Sequence, residues 1–240
     1  MDPQSIAAEG QCARVERCTF QVSDMTWTFA QEHAEDIAQN WQRCRAEMPS
    51  MFDGTVYLMR EHAVHGAALT ATFFKTDFKT FLYWSDGRHP GTGISEGFGT
   101  SLIRSAEGHI LLGRQAPGHL HSGRIYPPSG LIDGADVRGD SIDIEASIVR
   151  ELGEETGLGP AHLTRAPGYI LSRVGPLVAI AAEWHSPLPA EDLRASILHF
   201  VRSQSTPELA DIVIVRRCAD IDECATLAFA QALLRTLLPA

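Results

Sequence analysis

Residues 142 to 156 constrain this chain most. At about 100° per residue, Ile144, Ile148 and Leu152 fall on one stripe, which predicts a helix with one buried face. Gly157 stands where a left-handed cap would end it. The last turn carries Glu151, Glu154 and Glu155, at i, i+3 and i+4. Like charges so spaced destabilise a helix by roughly 0.2–0.5 kcal/mol per pair. Glu155 falls close to the apolar stripe, Glu151 beside it and Glu154 on the flank. A carboxylate edging onto a buried face is costly unless it is paired or bound to a cation. A hard divalent ion with oxygen ligands, usually Mg²⁺, meets that need. The bland alternative is a solvated acidic face. Gly153, in mid-helix, costs about 1 kcal/mol relative to alanine.

Composition narrows the class. The 240 residues suffice for one large domain, or one domain with a small companion. A formal charge of −10 argues against a nucleic-acid surface, which needs a basic stripe. Lys75 and Lys79 are the only lysines, so phosphate recognition here would lean on arginine forks. Cys12, Cys18, Cys44, Cys218 and Cys224 form no CxxC pair, which suggests a reducing compartment. The opening MDPQSIAAEG has neither a basic nor an apolar signal region, and no apolar run is long enough to span a bilayer. The expectation is a soluble, cytoplasmic protein with no nucleic-acid and no membrane partner.

Along the chain, strand and helix patterns interleave, an α/β arrangement. The first part reads as a small α+β unit over residues 1–92. It has a strand at 18–22, a helix at 31–48, strands at 55–60 and 67–74, and a short helix at 76–84. The loop Arg88-His89-Pro90-Gly91-Thr92-Gly93 is the expected boundary. The second unit, residues 93–240, opens with strands at 97–104 and 109–114 around Ala106-Glu107-Gly108. After the acidic helix come strands at 169–174 and 177–184, a helix at 191–204, a buried strand at 211–215 and a closing helix at 222–237.

The nonapeptide Arg150-Glu151-Leu152-Gly153-Glu154-Glu155-Thr156-Gly157-Leu158 resembles the C-terminal half of the Nudix box, G-x5-E-x7-REU-x-EE-x-G-U, at all seven constrained positions. The first half departs from it. With Gly130 as the opening glycine, Asp136 stands where the family has glutamate. Thirteen residues (137 to 149) then separate Asp136 from Arg150 instead of seven, so the loop is six residues longer. Asp140 and Asp143 are alternative candidates for that acid. The resemblance covers about residues 95 to 220.

The resemblance implies a Nudix-type α/β/α sandwich with a mixed sheet, preceded by the N-terminal unit. It implies a pyrophosphohydrolase of a nucleoside diphosphate linked to another moiety, dependent on Mg²⁺ or Mn²⁺. Glu154 and Glu155 become metal ligands, with the Gly130 carbonyl as a further one. Glu151 becomes ligand or general base, and Arg150 orients a glutamate or simply pairs with Glu154. Glu183, Glu191 and Glu208 are candidates for an additional acid outside the box, with Glu208 the best placed. Many members of the family dimerise, and the sequence leaves a homodimer open.

Arg114, ending the strand before the box, and Arg124 are the candidates to hold the small nucleotide-type substrate's phosphates. The plain alternative is exposed arginines. His119 and His121 read as a solvent loop. Tyr126 and Trp184 are either base-stacking or core aromatics. Trp41 with Pro49-Ser50-Met51-Phe52-Asp53-Gly54 is similar to the entry segment of the Nudix branch that cleaves UDP-sugars. As a generic hairpin turn, the same segment would put Phe52 in the core. ADP-ribose, dinucleotides, nucleoside triphosphates and coenzyme A remain alternative substrates, and a non-hydrolysing nucleotide sensor the alternative function.

Overall fold

The computed structural model describes residues 12–87 and 93–239. The expected leader-free start and most of the 88–93 loop lie outside them. In chain order the strands are β1 (Cys12–Val15), β2 (Arg17–Ser23), β3 (Thr55–His65), β4 (Ala68–Asp77), β5 (Ile94–Arg104), β6 (Ile110–Gln115) and β7 (Ile125–Tyr126). They continue with β8 (Ser129–Leu131), β9 (Val137–Arg138), β10 (Ser141–Ile142), β11 (Thr164–Arg165), β12 (Tyr169–Val174), β13 (Leu177–His185) and β14 (Leu209–Val215). The helices are α1 (Thr28–Glu32), α2 (Ala34–Glu47), α3 (Phe78–Asp86), α4 (Ile144–Thr156), α5 (Ala190–Ser203) and α6 (Ala228–Leu237). The closing helix therefore starts at Ala228 rather than at Asp222, whose carboxylate instead caps the turn through Cys224 and Ala225 N–H groups.

The sheet is mixed: β13 with β5 and β2 with β4 run parallel, and the other pairings are antiparallel. Its main path is β1-β12-β13-β5-β3-β4-β2-β10-β9. The strands in the middle are covered on both faces, and period-2 alternation shows how. On β13, Val178, Ile180, Ala182 and Trp184 join one hydrophobic cluster with α4 and α5. Ala179 and Ala181 join a second with α6. Ile110 and Leu112 of β6 likewise join the cluster with α6, whereas Leu111 joins the one with α4 and α5. This is an α/β/α sandwich.

Pairing and packing run across the expected boundary. β1 pairs with β12, β2 with β10, and β3 with β5 through Met59–Ser95 and Arg60–Ile94. Phe20, Met59 and Phe73 share a core cluster with Ile148 and Leu152. The opposite face of β3 and β4 carries Val56, Leu58 and Phe74, which pack on α1 and α3. No helix among the described residues is long and apolar enough to cross a membrane.

Candidate active site

Helix α4 is built as its sequence demands. The Asp143 carboxylate caps it by accepting from the Ala146 N–H at 3.0 Å. Gly157 ends it with φ 70° and ψ 6°, the left-handed region that glycine enters without penalty. Ile144, Ile148 and Leu152 are buried against the sheet. Gly99 of β5 permits that approach: a β-carbon there would stand 2.5 Å from Ile148 Cγ1 and 3.3 Å from Ile144 Cδ1. Gly153 makes no comparable contact, since an added β-carbon would meet only the Leu158 carbonyl, at 3.7 Å.

The three glutamates sit at three depths, in the order the periodicity predicts. The Glu155 side chain is buried, that of Glu151 is 14% exposed, and that of Glu154 is 60% exposed. Glu155 Oε1 accepts from the Ser129 N–H at 2.9 Å, while its Oε2 is buried with no partner. Glu151 lies directly against Gly130, where a β-carbon would fall 2.0 Å from its Oε1. β8 and α4 thus bring Gly130, Glu151 and Glu155 together at one point. Burial, first of all, pushes the Glu151 carboxyl up to about 7, with Arg150 opposing and Glu154 and Glu208 adding to the rise. Burial pushes Glu155 well above the usual carboxylate range, and the Ser129 N–H only partly offsets it.

Arg150 is the cation of this cluster. Its Nη1 donates to Glu151 at 2.6 Å and to Glu154 at 3.2 Å. Its Nη2 donates to both oxygens of Asp136, each at 3.2 Å. The Asp136 side chain is 1% exposed and also accepts from the Asp133 N–H. Arg150 thus holds a glutamate, as expected, and in addition spans both oxygens of Asp136 with one nitrogen. Of the three acids that compete for the first half of the box, Asp136 is the one that meets Arg150. Asp143 is spent on the helix cap, and the Asp140 carbonyl accepts from Val22. The six extra residues form the β9–β10 ribbon, which pairs with β2.

Glu151, Ser129 and Gly130 open onto a cleft of about 620 Å³. Glu96, Asp133 and Glu208 also line it, and no lysine or arginine does among the described residues. His119 and His121 line it as well, His121 exposed as the solvent-loop reading expects, with its ring meeting Tyr126 edge-on at 5.9 Å. Burial and the nearby Arg124 charge lower the His121 pKa from its usual value. Arg114 and Arg124 are not in the lining; they donate to the Gly123 and Cys224 carbonyls. Of the other acids considered, Glu183 pairs with Arg104 and Glu191 with Arg216, away from the cleft. Trp184 is a core residue.

Sequence reasoning missed Glu96, which burial pushes up to about 7. The signal was present: an acid set between apolar positions of a central strand needs a reason. Phe52, which the hairpin-turn alternative put in the core, is 82% exposed and lines the cleft.

Among the described residues no three His, Cys, Asp or Glu side chains stand preassembled as a metal cage, and Arg150 pairs with both Glu151 and Glu154. The chemistry of the donors nonetheless fits a hard cation. A buried, unpartnered Glu155 oxygen and two further carboxylates on one helical turn leave negative charge that one guanidinium shared with Asp136 does not neutralise.

No protein-family model matches this chain, and no curated protein matches it significantly. Solved structures do resemble it. One is a Nudix hydrolase from M. smegmatis, RenU, with 18% identity and a TM-score of 0.37, covering 59% of this chain and 83% of that one. Another is a C. elegans Ap4A hydrolase, with 18% identity and a TM-score of 0.39, covering 58% and 93%. A third is a bifunctional NMN adenylyltransferase/ADP ribose pyrophosphatase from Francisella tularensis, with 13% identity and a TM-score of 0.41, covering 65% and 44%. With every one of these TM-scores below 0.5, the chemistry of the site rests on the chain's own residues.

Proposed function

We propose that this protein is a Nudix pyrophosphohydrolase that uses Mg²⁺ or Mn²⁺ to cleave the diphosphate bridge of a nucleoside diphosphate derivative. The observation that carries the reading is the convergence of Glu151 and Gly130 on one acidic cleft, with Glu155 buried behind Ser129 and an arginine tying Glu151 to Asp136. Among the described residues the cleft is lined by carboxylates and no lysine or arginine, a surface that favours a diphosphate only when a divalent ion offsets the charge. When bound, such an ion neutralises phosphate charge and makes a bound water nucleophilic near neutral pH.

The residues divide the work. Glu154, Glu155 and the Gly130 carbonyl are the ligand set, and Ser129 holds Glu155 in register. Arg150 fixes Glu151 through Nη1 and both oxygens of Asp136 through Nη2. Glu151, with its carboxyl near 7, is suited to take a proton from water. Glu208, exposed in the same cleft, is the second candidate for that role. Attack on a phosphorus of the bridge releases a nucleoside monophosphate and a phosphorylated moiety. The segment from Trp41 to Gly54 puts UDP-sugars first among the substrates, ahead of ADP-ribose, dinucleotides, nucleoside triphosphates and coenzyme A.

The test is incubation of purified protein with Mg²⁺ or Mn²⁺ and that panel, with products resolved by chromatography. Turnover of at least one diphosphate, lost in Glu154→Gln and Glu155→Gln proteins that remain folded, is the expected result. Binding without cleavage of any member of the panel would make the protein a sensor. Comparing kcat in Glu151→Gln and Glu208→Gln identifies the base.

A further inference from the structure

Three large hydrophobic side chains stand exposed among the described residues: Phe52 at 82%, Leu120 at 44% and Leu188 at 42%. Single exposed apolar residues need no explanation. Two of these three, however, line one and the same cleft. Phe52 comes from the segment between α2 and β3, and Leu120 from the loop between β6 and β7. The Phe52 ring folds back over Gly54, to 3.5 Å from where a β-carbon would stand. Phe78, Phe81, Val56 and Leu131 line the same cleft, and Glu151, Glu208 and Glu96 are its acidic members.

A phosphate has no place on the apolar part, and a charged sugar phosphate would lose its hydration there without compensation. A nucleobase suits it: flat, uncharged and apolar on both faces. We propose that Phe52 and Leu120 form the seat for the substrate's nucleobase, with Phe52 as the stacking face. This specificity site rests on the nucleotide-hydrolase reading above and extends it to the N-terminal segment.

The full-length chain tests it by calorimetric titration with AMP, UMP and, as the base-free control, ribose 5-phosphate, all in Mg²⁺. Either nucleotide should bind at least about tenfold tighter than ribose 5-phosphate. Phe52→Ala should weaken nucleotide binding by on the order of ten- to a hundredfold, and Leu120→Ala by less. Phe52→Trp should restore it, and ribose 5-phosphate affinity should not move. Circular dichroism and the melting temperature confirm that each variant is folded. With a turned-over diphosphate substrate, the Phe52→Ala loss should fall on KM rather than kcat.

Equal binding of the three ligands, no binding of either nucleotide, or a folded Phe52→Ala protein with unchanged nucleotide affinity each overturns the seat. The two readings separate cleanly. Phe52-dependent nucleotide binding without cleavage of any diphosphate leaves the seat standing and removes the hydrolase. Cleavage with KM indifferent to Phe52 and Leu120 does the reverse.

Discussion

At the scale of single residues, the site is a problem in unbalanced charge. Arg150 serves Asp136, Glu151 and Glu154 together, and Glu155 keeps one buried oxygen without a partner. A carboxyl whose folded pKa is raised holds its proton more tightly in the folded chain. Folding stability from Glu151 is therefore greatest below about 4.5 and is lost as pH rises through about 7. Glu155 acts in the same direction. In EDTA the melting temperature should fall between pH 5 and pH 8, and Glu155→Gln should flatten that fall. Added Mg²⁺ should recover stability, and recover more of it at pH 8 than at pH 5, where protons compete for the ligands. A melting temperature that is flat across this range and indifferent to Mg²⁺ would count against the ion site. Gly130→Ala separates stability from chemistry at the same spot. The new methyl displaces the tip of Glu151, a flexible group, so unfolding free energy should change by no more than about 1 kcal/mol. If Glu151 is the base, activity should drop about a hundredfold, because a base displaced by an ångström loses its alignment. Chemical denaturation and steady-state kinetics on the same preparation decide this.

At the scale of elements, α4 and β8 make the site and the sheet sets their distance. Gly99 is spent on closeness to α4, whereas Gly153 is not. Gly153→Ala should accordingly stabilise the helix by about 1 kcal/mol, which corresponds to roughly 2–4 °C in melting temperature. A lower melting temperature in that variant would mean that Gly153 serves a contact absent from this geometry. The helix is legible in the sequence because it obeys a local rule: apolar residues at 3.6 spacing, an Asx cap and a terminal glycine. The depth order of Glu155, Glu151 and Glu154 follows from the same rule. The loop that leads into α4 is less legible, since Asp136, Asp140 and Asp143 are chemically alike. Only the position of Arg150 in space selects Asp136. Arg114 and Arg124 show the converse limit. A strand-end arginine looks the same in sequence whether it meets a substrate or a backbone carbonyl.

At the scale of the molecule, the N-terminal strands extend the same sheet. β1 and β2 are separated by Glu16 alone, yet β1 pairs with β12 at one end of the strand path and β2 with β4 near the other. The sheet therefore curls around the core that holds Phe20, Phe73, Ile148 and Leu152. Removing residues 1–92 would expose that core and strip partners from β5, β10 and β12. A fragment spanning 93–240 should not fold alone, and the full chain should unfold in one transition. Hydrogen exchange should protect β4 as strongly as α4. A fragment 93–240 with native-like circular dichroism and a cooperative melt would show two independent units instead.

The composition, the acidic helix and the depth order of its three carboxylates were set by the amino-acid sequence, because they depend on neighbours within one or two turns. Which aspartate meets Arg150, which acids share the cleft and how Phe52 and Leu120 come to line it were decided by the tertiary structure. Those groups are distant in the chain, and only strand pairing and close helix–sheet contact bring them together. The opening cluster of three carboxylates thus acquires its meaning from Gly130 and Ser129, more than twenty residues before Glu154 and Glu155 in sequence.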